Sequence, residues 1–524
     1  MSEHVTMKKS TEMPIQQTFS NEVGEITKAD AEDLSRYDIA TSYADRFQDG
    51  EGYTKQEARR LRWKLDYRLI PILFMNVLLP AYDKNSHALA AIYGMKTDLK
   101  MKGSMYSWVS SIFYFGYLLW CFPSSSMLQK LRVAKTIAVV QFLWGIVLIG
   151  SAFVKTWGQL MACRFILGAL EAPVLPGNML ILSMWYTRPE QTLRYGLMYT
   201  GLSSIPKGLI GWGVGGSGSG TLKIWQILFL IAGGITVVWS LVVGIFLPDN
   251  QVTAKFLDEK EKAIAVDRVR ANQTGVENKK FKKEQMIEAF LDIRVWLMFC
   301  FNLCISIPNG GMTNFSTLII KGLGWSSRQS SLLLMPAGVV QTASSYFCNG
   351  GVFLAIKYFP QYQFRGIFTL IGIIIGLIAS VFLYTLPLDA LHGRLAALFM
   401  SYFYLGPYIV GLSLVGANTA GHTKKVTVNA LMFISYCVSN IIGPQFFLDD
   451  QAPLYPLGMG AILGSYVLSF FFIIFYMLVC WRANKSRDAR DAAGGEVNHR
   501  DTDFKDLTDK QNIVSAPLDS LSDF

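Results

Sequence analysis

WQILFLIAGGITVVWSLVVGIFL, residues 225–247, runs straight into PDNQVTAKFLDEKEKAIAVDRVRANQTGVENKKFKKEQMIE, residues 248–288. The first stretch carries no formal charge, and a helix of about 20 apolar residues is enough to cross the ~30 Å hydrocarbon core of a bilayer. The second mixes both charge signs and belongs in water. Working outward, apolar runs of similar length recur on both sides. Those before the loop fall near 67–91, 105–127, 134–154, 158–182, 194–216 and 225–247. Those after it fall near 293–319, 328–351, 364–386, 395–418, 426–447 and 457–481. Six spans on either side of one long polar loop predict an all-α integral membrane protein, with 12 transmembrane helices as two six-helix bundles. In such proteins a solute site lies near the midplane, between the halves.

Composition agrees. The chain of 524 residues is 51% hydrophobic and only 16% charged, against about 25% charged in soluble domains. Its 48 Lys and Arg exceed 38 Asp and Glu, for a net charge of +10. Basic loops gather on one side of a membrane, so this excess calls for no nucleic acid partner. The cysteines (Cys121, Cys163, Cys300, Cys304, Cys348, Cys437 and Cys480) lie almost all inside apolar runs, without metal-binding spacing, and read as packing residues. His87 is the only histidine deep in a span, and no Ser/His/Asp set or phosphate loop is present. An enzyme, a metal site or a bound cofactor is not expected.

The chain divides into a disordered cytosolic tail (1–54), an N-terminal bundle (55–247), a cytosolic central loop (248–290), a C-terminal bundle (291–483) and a second disordered cytosolic tail (484–524). No apolar signal-peptide core precedes span one, which must itself direct insertion. Lys55 to Lys64, with Leu61 and Trp63 among basic residues, reads as a helix lying along the interface. Basic residues after span two (Lys130, Arg132, Lys135), around the turn after span four (Arg188, Arg194), before span eleven (Lys424, Lys425) and after span twelve (Arg482, Lys485) put both termini in the cytosol. Two loops dissent, with Lys96, Lys100 and Lys102 in one and Lys321 and Arg328 in the other. The sequon at Asn272 falls on the cytosolic side and is discounted. A secretory route to the plasma membrane is the default location, with the endoplasmic reticulum as the alternative.

An ionised side chain at mid-bilayer costs roughly 2.5–3.5 kcal/mol on insertion scales, so each needs a partner, a wet cavity or a task. Span one holds Tyr82-Asp-Lys-Asn85 with His87 beyond; Asp83 and His87, four residues apart, are expected to share a face. Span four holds Arg164 and Glu171, nearly on one face and about 10.5 Å apart along a helix axis. Span five holds Lys207 beside Pro206. The plainer readings are a buried pair of Asp83 with Lys84 and an Arg164 that snorkels to the interface. Gly211, Gly213, Gly215 and Gly216 suit close helix contact better than substrate contact.

Several strings are distinctive in combination: Arg62-Trp-Lys-Leu-Asp66, Tyr82-Asp-Lys84, Asp98-Leu-Lys100, Tyr106-Ser-Trp108, Phe113-Tyr-Phe-Gly-Tyr117, Arg164 to Gly168 with Glu171, Ile307-Pro-Asn-Gly-Gly311, Arg268-Val-Arg270, Lys424-Lys425 and Gly443-Pro-Gln445. From about residue 55 to 485 the chain resembles the fungal allantoate permease family, on the side of its thiamine-pathway carboxylate permeases. That family lies in the anion:cation symporter branch of the major facilitator superfamily. The resemblance implies uptake of a small organic anion (a carboxylate, ureide or vitamin) driven by the proton gradient, by a monomer in the lipid bilayer. It also implies that Asp83 and Glu171 carry the proton while Lys84 and Arg164 hold the anion. His87, Lys207 and Asn309 complete the candidate substrate-binding set. His87 stands where the family more often has a small hydroxyl residue, and Lys207 is no part of the family pattern.

Two other functions fit a twelve-span protein: a proton-driven drug antiporter and a transporter-like nutrient receptor. The antiporters carry a Gly-x-x-x-Gly-Pro-x-x-Gly-Gly element in span five, which Pro206-Lys207 fits poorly. The tails are of ordinary length for a transporter.

Overall fold

A computed structural model describes residues 53–198, 200–216, 220–270, 282–359, 364–492 and 508. Nearly all of the N-terminal tail, the Asn272 sequon and most of the C-terminal tail fall outside these residues. Each expected span is helical. Among the described residues, eight helical stretches are long and apolar enough to cross a membrane unaided, and they are spans three, four, six, seven, nine, ten, eleven and twelve. Spans one, two, five and eight are the more polar or broken ones. They comprise Lys55–Lys84 continued by Ser86–Ala90, Met105–Lys130, Ser204–Val214, and Met335–Tyr358. These four take part in most of the contact between the bundles.

Large apolar side chains stay exposed around the outside, among them Ile245 at 74% and Phe122 at 65%. A water-soluble protein would not leave such a surface uncovered, whereas lipid is a good solvent for it. Inside each bundle, spans approach at backbone distance. A Cβ on Gly168 would meet the Phe113 carbonyl oxygen at 1.9 Å, and one on Gly116 would meet that of Phe165 at 2.0 Å. Only glycine at both positions lets spans two and four touch this closely, and the contact places Arg164 beside span two. Asn76 binds Asn178, Gln141 and Trp239 through its amide, joining spans one, three, four and six in a buried polar knot.

The face that carries the chain ends is laced by ion pairs within each bundle. Asp66, near the head of span one, takes two hydrogen bonds from Arg194 near span five. In the C-terminal bundle, Asp292 at the head of span seven binds Lys424 at the head of span eleven, 3.0 Å away, and Arg294. Spans one and five correspond to seven and eleven by position, so the same acid-to-base tie repeats in both halves. Burial alone would raise the Asp292 carboxyl, but Arg294 and Lys424 outweigh it and hold the group well below the usual carboxylate range.

Two expectations about organisation change, those for the first and the last helix. The interfacial helix is not a separate element, because Lys55–Lys84 is one continuous helix opened by a Thr54–Glu57 capping box. The central loop carries the helices Glu259–Arg270 and Lys283–Leu291. The first of these helices is tied to the N-terminal bundle through Arg268–Glu190 and Lys64–Glu261. Finally, the last helix runs to Ala492, beyond the expected start of a disordered tail at 484.

Candidate functional site

Span one is not one helix. Its long helix ends at Lys84, and Asn85 adopts a non-helical backbone before the short helix Ser86–Ala90. A helix end leaves carbonyl groups without intrahelical partners, and inside a membrane these must be satisfied by the protein. The Asp83 carbonyl accepts from the Ser86 hydroxyl. The Lys84 carbonyl accepts from Arg164 Nη2 at 2.9 Å, and His87 Nδ1 donates to it at 3.0 Å. A break at Lys84–Asn85 therefore draws Arg164 and His87 to one oxygen atom.

Arg164 is 1% exposed. Besides Lys84 it donates through Nε to the Val109 carbonyl, and its guanidinium lies over the Phe113 ring, 5.0 Å from the centroid. Its Nη1 is buried with no acceptor. Neither Asp83 nor Glu171 is within ion-pair distance of Arg164 among the described residues. The plainer reading of a buried pair of Asp83 with Lys84 is not met among the described residues either. Arg164 is nonetheless well inside the protein, which excludes snorkelling in this arrangement.

Asp83 and His87 do not share a face, because the helix breaks between them. Asp83 turns to span six, where Thr236 donates to its Oδ2 at 2.8 Å while Oδ1 has no partner. His87 turns to span two, where its Nε2 lies 2.9 Å from the Ser110 hydroxyl. Both of its ring nitrogens are thereby occupied. Glu171 ends the helix Trp157–Glu171, just before the bend at Ala172 and Pro173. It is buried and makes no hydrogen bond or ion pair among the described residues, with Lys84 and Arg164 as the cations whose field reaches it. Lys207 is likewise buried, with no side-chain partner among the described residues.

Asn309 sits at the centre of a neutral network. Its amide donates to Tyr436 at 3.0 Å and to Asn440 at 2.8 Å, and its oxygen accepts from Tyr404 at 2.6 Å. Lys84 reaches the same Tyr436 hydroxyl at 3.1 Å, and its ammonium lies 4.5 Å from the centre of the Tyr114 ring. Tyr114 in turn donates to Asn440. One network thus joins spans one and two to spans seven, ten and eleven. Tyr114, Tyr404, Tyr436 and Asn440 were not among the residues picked out by sequence. For Tyr114 a signal was present in span two, where Tyr106, Ser107, Ser110, Ser111, Tyr114 and Tyr117 mark one buried helix face.

On the face away from the termini the two bundles are bound together. Lys96 pairs with Asp449 at 2.6 Å, Lys321 donates to the Ile92 carbonyl at 2.7 Å, and Arg328 lies over Trp212. Three basic residues of the two dissenting loops are accounted for in this way, as bundle contacts. Ser111 and Gln445 add hydrogen bonds between spans two and eleven. Spans five and eight meet at Gly201 and Gly338, where a Cβ on Gly338 would lie 2.2 Å from the Gly201 carbonyl oxygen.

The sequence pattern of the Major Facilitator Superfamily matches residues 73–444, across both bundles. The chain belongs to the Major Facilitator Superfamily. As a member of that superfamily it is a multi-pass membrane transporter rather than an enzyme. It is 34% identical to the allantoate permease of Saccharomyces cerevisiae over 468 residues, 88% of this chain and 86% of the permease. It is 32% identical to the thiamine pathway transporter of the same yeast, over 86% of this chain and 84% of that protein. An MFS-type transporter of Penicillium expansum is 38% identical over 91% of both chains. Among solved structures, a bacterial homolog of the human lysosomal transporter Spinster, inward-facing and unoccupied, aligns with a TM-score of 0.59 at 15% identity, covering 81% of this chain and 97% of its own. A D-xylose-proton symporter aligns with a TM-score of 0.56 at 11% identity, covering 78% and 97%. These two establish the superfamily fold.

Proposed function

We propose that this transporter carries a small organic anion into the cytosol together with a proton. The observation that carries the reading is Arg164, a permanently charged group buried between spans with one nitrogen lacking an acceptor and no carboxylate in reach. Arginine cannot shed its proton to escape such a place, and its planar fork matches a carboxylate. A substrate carboxylate is the missing acceptor, with the Lys84 ammonium adding to the positive field. The allantoate permease, named for a carboxylate, supports this class of substrate.

Glu171 supplies the coupling. It has no hydrogen-bond donor to lose when it takes a proton, and it shares the field of Lys84 and Arg164 with the incoming anion. While ionised, it repels a substrate carboxylate at that site. Once protonated, it does not. Proton and anion therefore favour each other's binding, which is the thermodynamic condition for symport. Asp83, tied to Thr236, is the second carboxyl in the same bundle and the second candidate proton carrier.

The experiment is accumulation of labelled carboxylates by vesicles containing the purified protein, under an imposed proton gradient. Accumulation above the outside concentration that collapses with a protonophore is expected. Facilitated equilibration that ignores the gradient would refute the coupling, and export driven by it would make the protein an antiporter.

A further inference from the structure

Resting on that reading, the buried charges narrow the substrate class. Asp83, Lys84, Arg164, Glu171 and Lys207 are the charged residues in the middle of the N-terminal bundle's spans. Three are cations and two are acids, so the region keeps a surplus positive charge with both acids ionised, and a larger one when Glu171 is protonated. A single carboxylate cannot balance two positive charges.

Lys207 is where the surplus is unassigned. It lies in the first turn of Ser204–Val214, next to Pro206, and is 5% exposed. No hydrogen bond or ion pair reaches it among the described residues, although an ammonium carries three donors. The neighbouring glycines hold its helix close to other spans: a Cβ on Gly208 would strike Met335 of span eight, and one on Gly211 would strike Leu89 of span one. The helix that carries Lys207 is therefore packed between span one of its own bundle and span eight of the other. Its field and that of Arg164 converge on His87. His87 is not its acceptor, because both ring nitrogens are taken. Snorkelling is no explanation either, since the side chain is buried in protein.

We propose that Lys207 binds a second acidic group of the substrate, and that the transported class is dianionic: a small molecule with one carboxylate at Arg164 and a further carboxylate or equivalent acid group at Lys207. His87, already hydrogen-bonded through both ring nitrogens, is the residue that the fields of both cations reach. A separate small inorganic anion offers the same chemistry as a second acid group, and the test distinguishes the two.

Thermal stabilisation of the purified full-length protein is measured with succinate and glutarate against butyrate and valerate, in chloride and in gluconate buffer. Wild type is expected to respond to the dicarboxylates at concentrations about tenfold or more below their monocarboxylate counterparts, the worth of one charge-assisted hydrogen-bonded pair. Lys207→Met should bring the ratio close to one, and Lys207→Arg should restore it; the conservative variant covers a folding failure of the first. Equal responses to both series in wild type would overturn this inference and leave the carboxylate site standing. A preference that survives in Lys207→Met would overturn it too, as would a preference that appears only in gluconate and vanishes in chloride, which would make Lys207 a chloride site. Stabilisation by no member of either series would refute the carboxylate reading itself, and this inference with it.

Discussion

The two bundles meet with unlike chemistry. In the N-terminal bundle, charged side chains occupy the middle of spans one, four and five: Asp83, Lys84, Arg164, Glu171 and Lys207. In the C-terminal bundle, the buried charged residues Asp292, Arg294, Arg394 and Lys424 all sit within a turn of a helix start. What that bundle offers at the midplane is neutral: Asn309, Tyr404, Tyr436 and Asn440. The difference bears on how such a machine can move. Separating a buried ion pair strands two charges, whereas neutral hydroxyl and amide contacts part at much lower cost. With the ions kept on one rigid body, the other can rock against it. On this account the N-terminal bundle performs the proton and anion chemistry, and the C-terminal bundle forms a releasable wall.

The comparison can be broken most severely at Arg164. Arg164→Lys keeps the charge and loses the fork, and should weaken apparent affinity for a carboxylate by about 100-fold at normal abundance in the membrane. An uptake titration with protein abundance measured alongside checks this. Unchanged affinity would make Arg164 a structural residue whose work is holding the Lys84 carbonyl.

The neutral wall should behave differently. Removing the Tyr436 hydroxyl with Tyr436→Phe deletes its contacts to Lys84 and Asn309, and should alter KM by roughly 3- to 10-fold, the usual worth of a neutral hydrogen bond. The dependence of accumulation on the imposed gradient should stay as in wild type. If coupling were lost instead, the division of labour between the bundles would be wrong.

The smallest effect is expected at the Lys96–Asp449 pair, which is part-exposed on both sides. Such pairs contribute about 0.2–1 kcal/mol, so Asp449→Asn should raise labelling of a cysteine introduced on that face by a factor of about 2 to 5. The exchanged pair Lys96→Asp with Asp449→Lys should recover part of the closure. No recovery would mean that the charge itself is not what holds the bundles there.

Much of the fold was legible because a membrane leaves the helix little alternative: an apolar run of the right length must hydrogen-bond its own backbone. The breaks were not legible. At Asn85 the local contribution, from the side chains of Asn85, Ser86 and His87, uses residues that also occur within helices, and the remaining partner, the guanidinium of Arg164 on the Lys84 carbonyl, is distant in sequence. That is also why Asp83 and His87 were expected on one face and are found on different neighbours. Charged residues such as Arg164, Glu171 and Lys207 stood out from their surroundings at once. Tyr436 and Asn440 did not, since a neutral polar residue in a span reads equally well as packing. The acid-to-base tie repeated in the two halves leaves a trace in sequence, Leu-Asp-x-Arg at 65–68 and again at 291–294, but only the fold shows which distant base each acid meets.

Glu171 tests the account most directly. In vesicles, Glu171→Gln removes the proton carrier and mimics its protonated form, so it should exchange labelled for unlabelled substrate at a rate near that of wild type. It should fail to accumulate substrate against its gradient when a proton gradient is imposed, and Asp83→Asn measured in parallel shows whether the second carboxyl shares the load. Exchange without accumulation is the predicted result. Normal proton-driven accumulation in both Glu171→Gln and Asp83→Asn would contradict it, and would remove these carboxyls from the coupling mechanism.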